Sequence, residues 1–69
     1  MVDVEAIKPG ATRCTDRHGT VWRIDGVIEN RFGTQLRVRC VLPGRAMRGL
    51  SVGDVSSLPA TTEGLEVTT

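Results

Sequence analysis

Arg23, Arg37 and Arg39 are the side chains in this chain best suited to chemistry, and the chemistry is the binding of anionic oxygen. A guanidinium presents planar, forked donors that match a phosphate better than an ammonium does. Each of the three occupies the polar phase of an alternating segment, so strand geometry sends them to one outward face. Like charges on adjacent strands stand about 5 Å apart and repel unless an anion or a carboxylate lies among them. A phosphate backbone would satisfy the group. Asp25 and Glu29, assigned to the same face, offer the ordinary alternative of a solvated, paired surface.

Charge along the chain is segregated. Nine basic residues, eight of them arginine, fall between Lys8 and Arg48, where only Asp16, Asp25 and Glu29 oppose them, a local net of +6 within a whole-chain net of +1. Asp3 and Glu5 at one end, and Asp54, Glu63 and Glu66 towards the other, account for the difference. The isoelectric point near 7.8 is lower than that of most nucleic-acid-binding domains.

Further candidates surround the three arginines. Arg31 and Phe32 at a loop tip combine a cation with an aromatic ring, as single-strand binders do to hold a phosphate and stack a base; alternatively Phe32 folds back over the end of a barrel. Arg45 and Arg48 flank Met47 and either extend the basic surface or serve as isolated charges. Arg13 and Arg17 stay unplaced until the first hairpin has a register.

Other chemistries lack the residues they need. His18 is the only histidine and has no set of metal ligands around it, and Cys14 and Cys40 are too far apart in sequence for a zinc knuckle. No spacing joins Ser51, Ser56, Ser57 or either cysteine to His18 as nucleophile and base, so an enzyme is not expected. The glycines are scattered singly, without a phosphate loop, so neither a cofactor nor a small-molecule substrate is expected. Two cysteines allow one disulfide at most, and two reduced thiols are the expectation. No secretory leader or membrane-length apolar run is apparent, which points to a cytoplasmic protein.

A chain of 69 residues makes a single domain with a thin core. Glycine and proline punctuate it at the spacing of an all-β fold. Ala11 to Thr15 reads as a first strand, followed by a tight turn at Asp16-Arg17-His18-Gly19. In Thr20 to Glu29, Trp22, Ile24 and Ile28 share the inner phase while Val21, Arg23, Asp25, Val27 and Glu29 share the outer, with Gly26 marking a bulge or bend. A six-residue connection, 29–34, leads to Gln35 through Leu42, where Leu36, Val38, Cys40 and Leu42 face inward. Arg45 to Leu50 reads as a fourth strand. Ser51-Val52-Gly53-Asp54 reads as the start of a helical turn ending near Leu58. Residues 59–69 are either a tail or a last edge strand. The layout resembles SH3-like barrels over roughly residues 8–58, which implies a small all-β barrel of about five short antiparallel strands with one late helical turn.

Two functions follow. One is a binding module that grips nucleic acid through its backbone, using Arg23, Arg37 and Arg39 with help from Arg31, Phe32, Arg45 and Arg48. The other is a protein-interaction module or small regulatory subunit, in which the arginine face or a strand edge docks an acidic protein partner or a second copy to form a homodimer, with Val21, Val27 and Val41 as an apolar patch.

Overall fold

A computed structural model describes residues 3–45 and 49–68. A 3-10 turn, Val4–Ala6, precedes five strands: β1 (Arg13–Thr15), β2 (Val21–Asn30), β3 (Gly33–Leu42), β4 (Val55–Pro59) and β5 (Glu66–Thr68). All are antiparallel neighbours in one sheet of order β4-β3-β2-β1-β5. The fold is the small all-β domain anticipated from the turn spacing, but β4 and β5 remain edges and the barrel does not close. The sheet nevertheless wraps round its own apolar side: the radius of gyration, 11.1 Å, equals the roughly 11 Å expected of a compact domain of this length.

The long β2–β3 hairpin is the backbone of the molecule, and its register explains where alternation succeeds and fails. From Trp22↔Cys40 through Ile24↔Val38 the pairing is regular, and Trp22, Ile24, Val38 and Cys40 are buried as their phase requires. The register then slips between Ile24 and Gly26, so that Asp25 and Gly26 both stand against Arg37. A bulge of this kind inserts one residue and reverses the phase of everything beyond it. Val27 therefore opposes buried Leu36 on the inner face, and Ile28 opposes Gln35 on the outer one. This reverses the assignment that strict alternation gives to Val27 and Ile28. A second slip between Val21 and Trp22 makes Val41 the extra residue of β3 and leaves Leu42, expected inside, 58% exposed.

The strands also reach further into the hairpin loop than the sequence suggests. Asn30 pairs with Gly33, and only Arg31 and Phe32 form the tip. The Asn30 Oδ1 accepts from the Phe32 N–H at 2.8 Å, and Gly33 takes φ 117°, a value that favours glycine.

The core comprises Ile7, Cys14, Trp22, Ile24, Leu36, Val38, Cys40 and Ala60, with Val4, Leu50, Leu58 and Leu65 packed against it. It thus draws on residues outside 8–58 at both ends. Cys14, Trp22 and Cys40 lie side by side on β1, β2 and β3. Two strand spacings, about 9.6 Å, separate the cysteines, beyond the roughly 7 Å that a disulfide spans. Both are free thiols. Burial pushes the Cys14 thiol up to about 11, helped by the Asp16 charge, and raises that of Cys40, so neither is a ready nucleophile.

Three sequence assignments are corrected here. The first strand begins at Arg13, because the Ala11 and Thr12 N–H groups both donate to the Lys8 carbonyl and hold 8–12 in a turn. The fourth strand is not at Arg45 to Leu50: Arg45 and Gly49 lie in turns, Leu50 is irregular, and 46–48 fall outside the described residues. The helical turn before Leu58 is instead β4. Ser51 N–H donates to Asp54 Oδ2 at 2.9 Å and Asp54 N–H to the Ser51 carbonyl at 3.1 Å, so the residues that resemble a helix cap close a tight turn into a strand. Residues 66–68 form the last edge strand rather than a tail.

Candidate nucleic-acid interface

The tight turn between β1 and β2 sets the register that builds the basic face. Gly19 there has φ 83°, and Asp16 Oδ1 accepts from the N–H groups of His18 and Thr20 at 2.9 and 3.0 Å. Thr15 is thereby set opposite Val21, and Arg13 opposite Arg23. On the other side of β2, Arg23 opposes Arg39. One row of the outer face therefore runs Arg13, Arg23, Arg39 across three adjacent strands. Arg37, two residues from Arg39 along β3, joins the same face beside Gly26.

The bulge adds a carboxylate in the middle of this row. Arg23 Nε donates to Asp25 Oδ1 at 2.8 Å and Arg39 Nε to Asp25 Oδ2 at 3.4 Å. The two arginine side chains remain 40% and 45% exposed around it. Arg39 Nη1 also donates to the Gly53 carbonyl at 3.5 Å. Hydrogen bonds from Arg23, then from Arg39, hold the Asp25 carboxyl below the usual range, outweighing its desolvation. A carboxyl whose pKa falls on folding adds stability above its unfolded value, ordinarily 3.8, and loses it as pH drops through the folded value. Asp25→Asn is therefore expected to melt below the parent at pH 7, with the gap narrowing as pH falls past 3.8 and closing once it is below the lowered folded value; thermal melts at neutral pH and along an acid series measure it.

Asp25 thus pairs with two of the arginines, as the solvated-surface alternative requires, but Glu29, expected on the same face, is turned by the bulge to the inner phase opposite Thr34 and makes no ion pair. Among the described residues neither Arg13 nor Arg37 has a carboxylate partner. Four guanidinium groups against Asp25 and, at the far edge opposite Thr15, Glu66 leave the face at about +2, with charges repelling across strands. At the centre lies Gly26: a β-carbon built there would meet nothing within 4 Å, so the floor between Arg37 and Asp25 is open.

The remaining candidates scatter. Arg31 lies with its guanidinium 5.1 Å above the Phe32 ring, a cation–π contact at the hairpin tip. Phe32 is 80% exposed and does not fold back over the core. Arg45 is exposed in a turn outside the strands, and Arg48 lies outside the described residues. Of the proposed valine patch, Val27 belongs to the inner face, whereas Val21 and Val41 are half-buried beside exposed Leu42.

Two features escaped the sequence. Arg13 could have been placed by counting back from the Asp16–Gly19 turn, which couples 13 to 23. A cavity of about 150 Å³ could not, because Val4, Phe32–Gln35 and Pro59–Thr61 meet there from three separate segments.

Comparison with known proteins returns no match, whether against family models, curated proteins or solved structures. Among the described residues no group of three or more His, Cys, Asp or Glu could hold a metal, and no helix is long and apolar enough to cross a membrane.

Proposed function

We propose that the chain is a small binding module that holds nucleic acid through its phosphate backbone, with Arg13, Arg23, Arg37 and Arg39 as the contact residues. The observation that carries this reading is the arginine cluster on three neighbouring strands, in which Asp25 pairs Arg23 and Arg39 while Arg13 and Arg37 have no carboxylate partner among the described residues. Its mutual repulsion is a standing cost that an anionic polymer with regularly spaced charges removes. Backbone contacts of this kind position a ligand and carry little sequence preference. The strand order β4-β3-β2-β1-β5 and the long bulged β2 support reading the scaffold as an SH3-like barrel left open between β4 and β5.

The test is a titration with short single-stranded and duplex oligonucleotides at two salt concentrations. With four phosphates neutralised, affinity falls roughly 50- to 150-fold between about 50 and 200 mM salt. In the triple variant Arg23→Gln, Arg37→Gln, Arg39→Gln, that dependence shrinks to about threefold, as for one phosphate. Unchanged affinity and salt slope in the variant would remove these residues from the interface. Asp25→Asn should act oppositely and tighten binding, since it frees Arg23 and Arg39.

A second reading is supported by the β4 edge. The Cys40 N–H donates to the Asp54 carbonyl and the Ala60 N–H to the Thr34 carbonyl, so alternation directs Ser56 and Leu58 towards β3 and leaves Val55 and Ser57 facing outward. Pro59, the next outward position, has no N–H to offer. The segment Val-Ser-Ser-Leu-Pro carries no charge, and its first residue, Val55, and the nearby Val52 are exposed. Such an edge suits a second copy of the chain or an extended peptide. Sedimentation equilibrium in high salt separates the readings, because edge pairing survives conditions that release a phosphate backbone.

A further inference from the structure

The cavity at the end of the β2–β3 hairpin lies on the same strand as the arginines. Gln35, at its rim, is two residues from Arg37 and in the same outward phase, so the two are about 6.6 Å apart along β3. Pro59 stands opposite Gln35 on β4, and Phe32, Val4, Ala60 and Thr61 complete the lining. The volume is about 150 Å³. An apolar cavity of roughly that size accepts one six-membered aromatic ring. Its walls are mainly apolar, while the Gln35 amide supplies both a donor and an acceptor.

Resting on the backbone-binding reading, we infer that this cavity takes one unpaired pyrimidine base, and that the ligand of the arginine face is therefore a single-stranded nucleic acid. A base paired inside a duplex cannot leave the stack without losing its partner, whereas an unpaired one is free to swing away from its own backbone. The spacing is consistent with this. Val4, Thr34 and Ala60 line the cavity from the core side, while Gln35 and Pro59 belong to the outward face, where Arg37 and then Arg39 follow Gln35 at two-residue steps along β3 and offer successive phosphate contacts to a strand whose base enters here. The Phe32 ring supplies aromatic surface, and the Arg31 guanidinium stacked on it adds a cation at the tip. Gln35 reads the exposed edge of the base. Phe32, which is 80% exposed and used by no part of the core, thereby acquires a role.

Three probes of equal length test the inference: an octamer of thymidylate, an abasic deoxyribose-phosphate octamer of the same charge, and an eight-base-pair duplex. Their affinities are read by fluorescence anisotropy at low salt. The parent chain is expected to bind the thymidylate octamer at least about tenfold more tightly than the abasic one. Phe32→Ala should erase that preference and leave the salt slope unchanged. Amide resonances of Thr34, Gln35 and Thr61 should move with thymidylate and stay still with the abasic octamer. Because Phe32 is so exposed its removal spares the core, and Trp22 emission recorded alongside verifies this. Equal, salt-sensitive affinity of the parent for the thymidylate and abasic octamers would overturn the cavity assignment while leaving backbone binding in place. Tighter binding to the duplex than to either octamer would do the same. No binding of any probe at low salt would overturn both.

Discussion

An Asp16→Ala variant is expected to melt roughly 12–24 °C below the parent chain, the equivalent of about 3 kcal/mol. For a domain of this size, whose total stability is on the order of 3.5–10 kcal/mol, that is roughly 30% or more of the whole. The magnitude comes from what one carboxylate holds. Its Oδ1 accepts from the N–H groups of His18 and Thr20, and its Oδ2 accepts from the Trp22 indole N–H at 3.1 Å. Trp22 is 1% exposed and sits between Cys14 and Cys40 at the centre of the core. Alanine leaves the indole donor without a partner in a site that water reaches poorly, and loosens the turn that sets Arg13 opposite Arg23. Asp16→Asn distinguishes these contributions. Its amide oxygen can still serve the turn, but its NH₂ meets the indole N–H donor to donor, so it should recover about half of the loss. Differential scanning calorimetry of the three proteins measures the series, and an alanine variant that melts with the parent would refute the assignment.

Gly44→Ala is the second large effect. A β-carbon at Gly44 would clash with the His18 carbonyl oxygen and stand 2.6 Å from Thr20 Oγ1 and 2.7 Å from the Thr20 nitrogen. Two of these are backbone atoms of the first hairpin, and the third belongs to a fully buried side chain, so no flexible group can give way. The Pro43-Gly44 segment must back away, and the Gly44 N–H loses its 2.9 Å bond to Thr20 Oγ1. Overpacking and the broken hydrogen bond together cost about 3 kcal/mol. Asp16 and Gly44 both act on Thr20, one at its N–H and the other at its hydroxyl. Denaturant unfolding of the double variant should therefore show a loss smaller than the sum of the single losses. Strict additivity would mean that the two positions do not share Thr20 as their common partner.

Much of this was legible in the residues. Leu36, Val38 and Cys40 against Arg37 and Arg39 announce a half-buried strand, and Asp16 with Gly19 announces the turn, because each pattern has a local cause that the surroundings do not override. Three arginines on one face followed directly. The phase reversal did not: Gly26 marks an irregularity, but only the pairing with β3 shows that Asp25 is the extra residue and that Val27 and Ile28 exchange faces. Val41 and Leu42 exchange roles for the same reason. The segment from Ser51 to Leu58 failed differently. The hydrogen bonds that cap a helix also close a tight turn, and the choice between them belongs to β3, which offers β4 an edge to pair with. The cavity needed three distant segments, so no local pattern could have revealed it.

The bulge has a further consequence, which concerns how such a surface can change over generations. Every other outward residue of β2 is tied to a rung of the sheet, and inserting or deleting one would turn its neighbours over. Asp25 alone is surplus to the count. Whatever stands at 25, or its outright loss, leaves Arg23 facing Arg39 and Val27 facing Leu36. The strength of the positive field can therefore drift by single substitutions at this site while the architecture that displays it stays fixed.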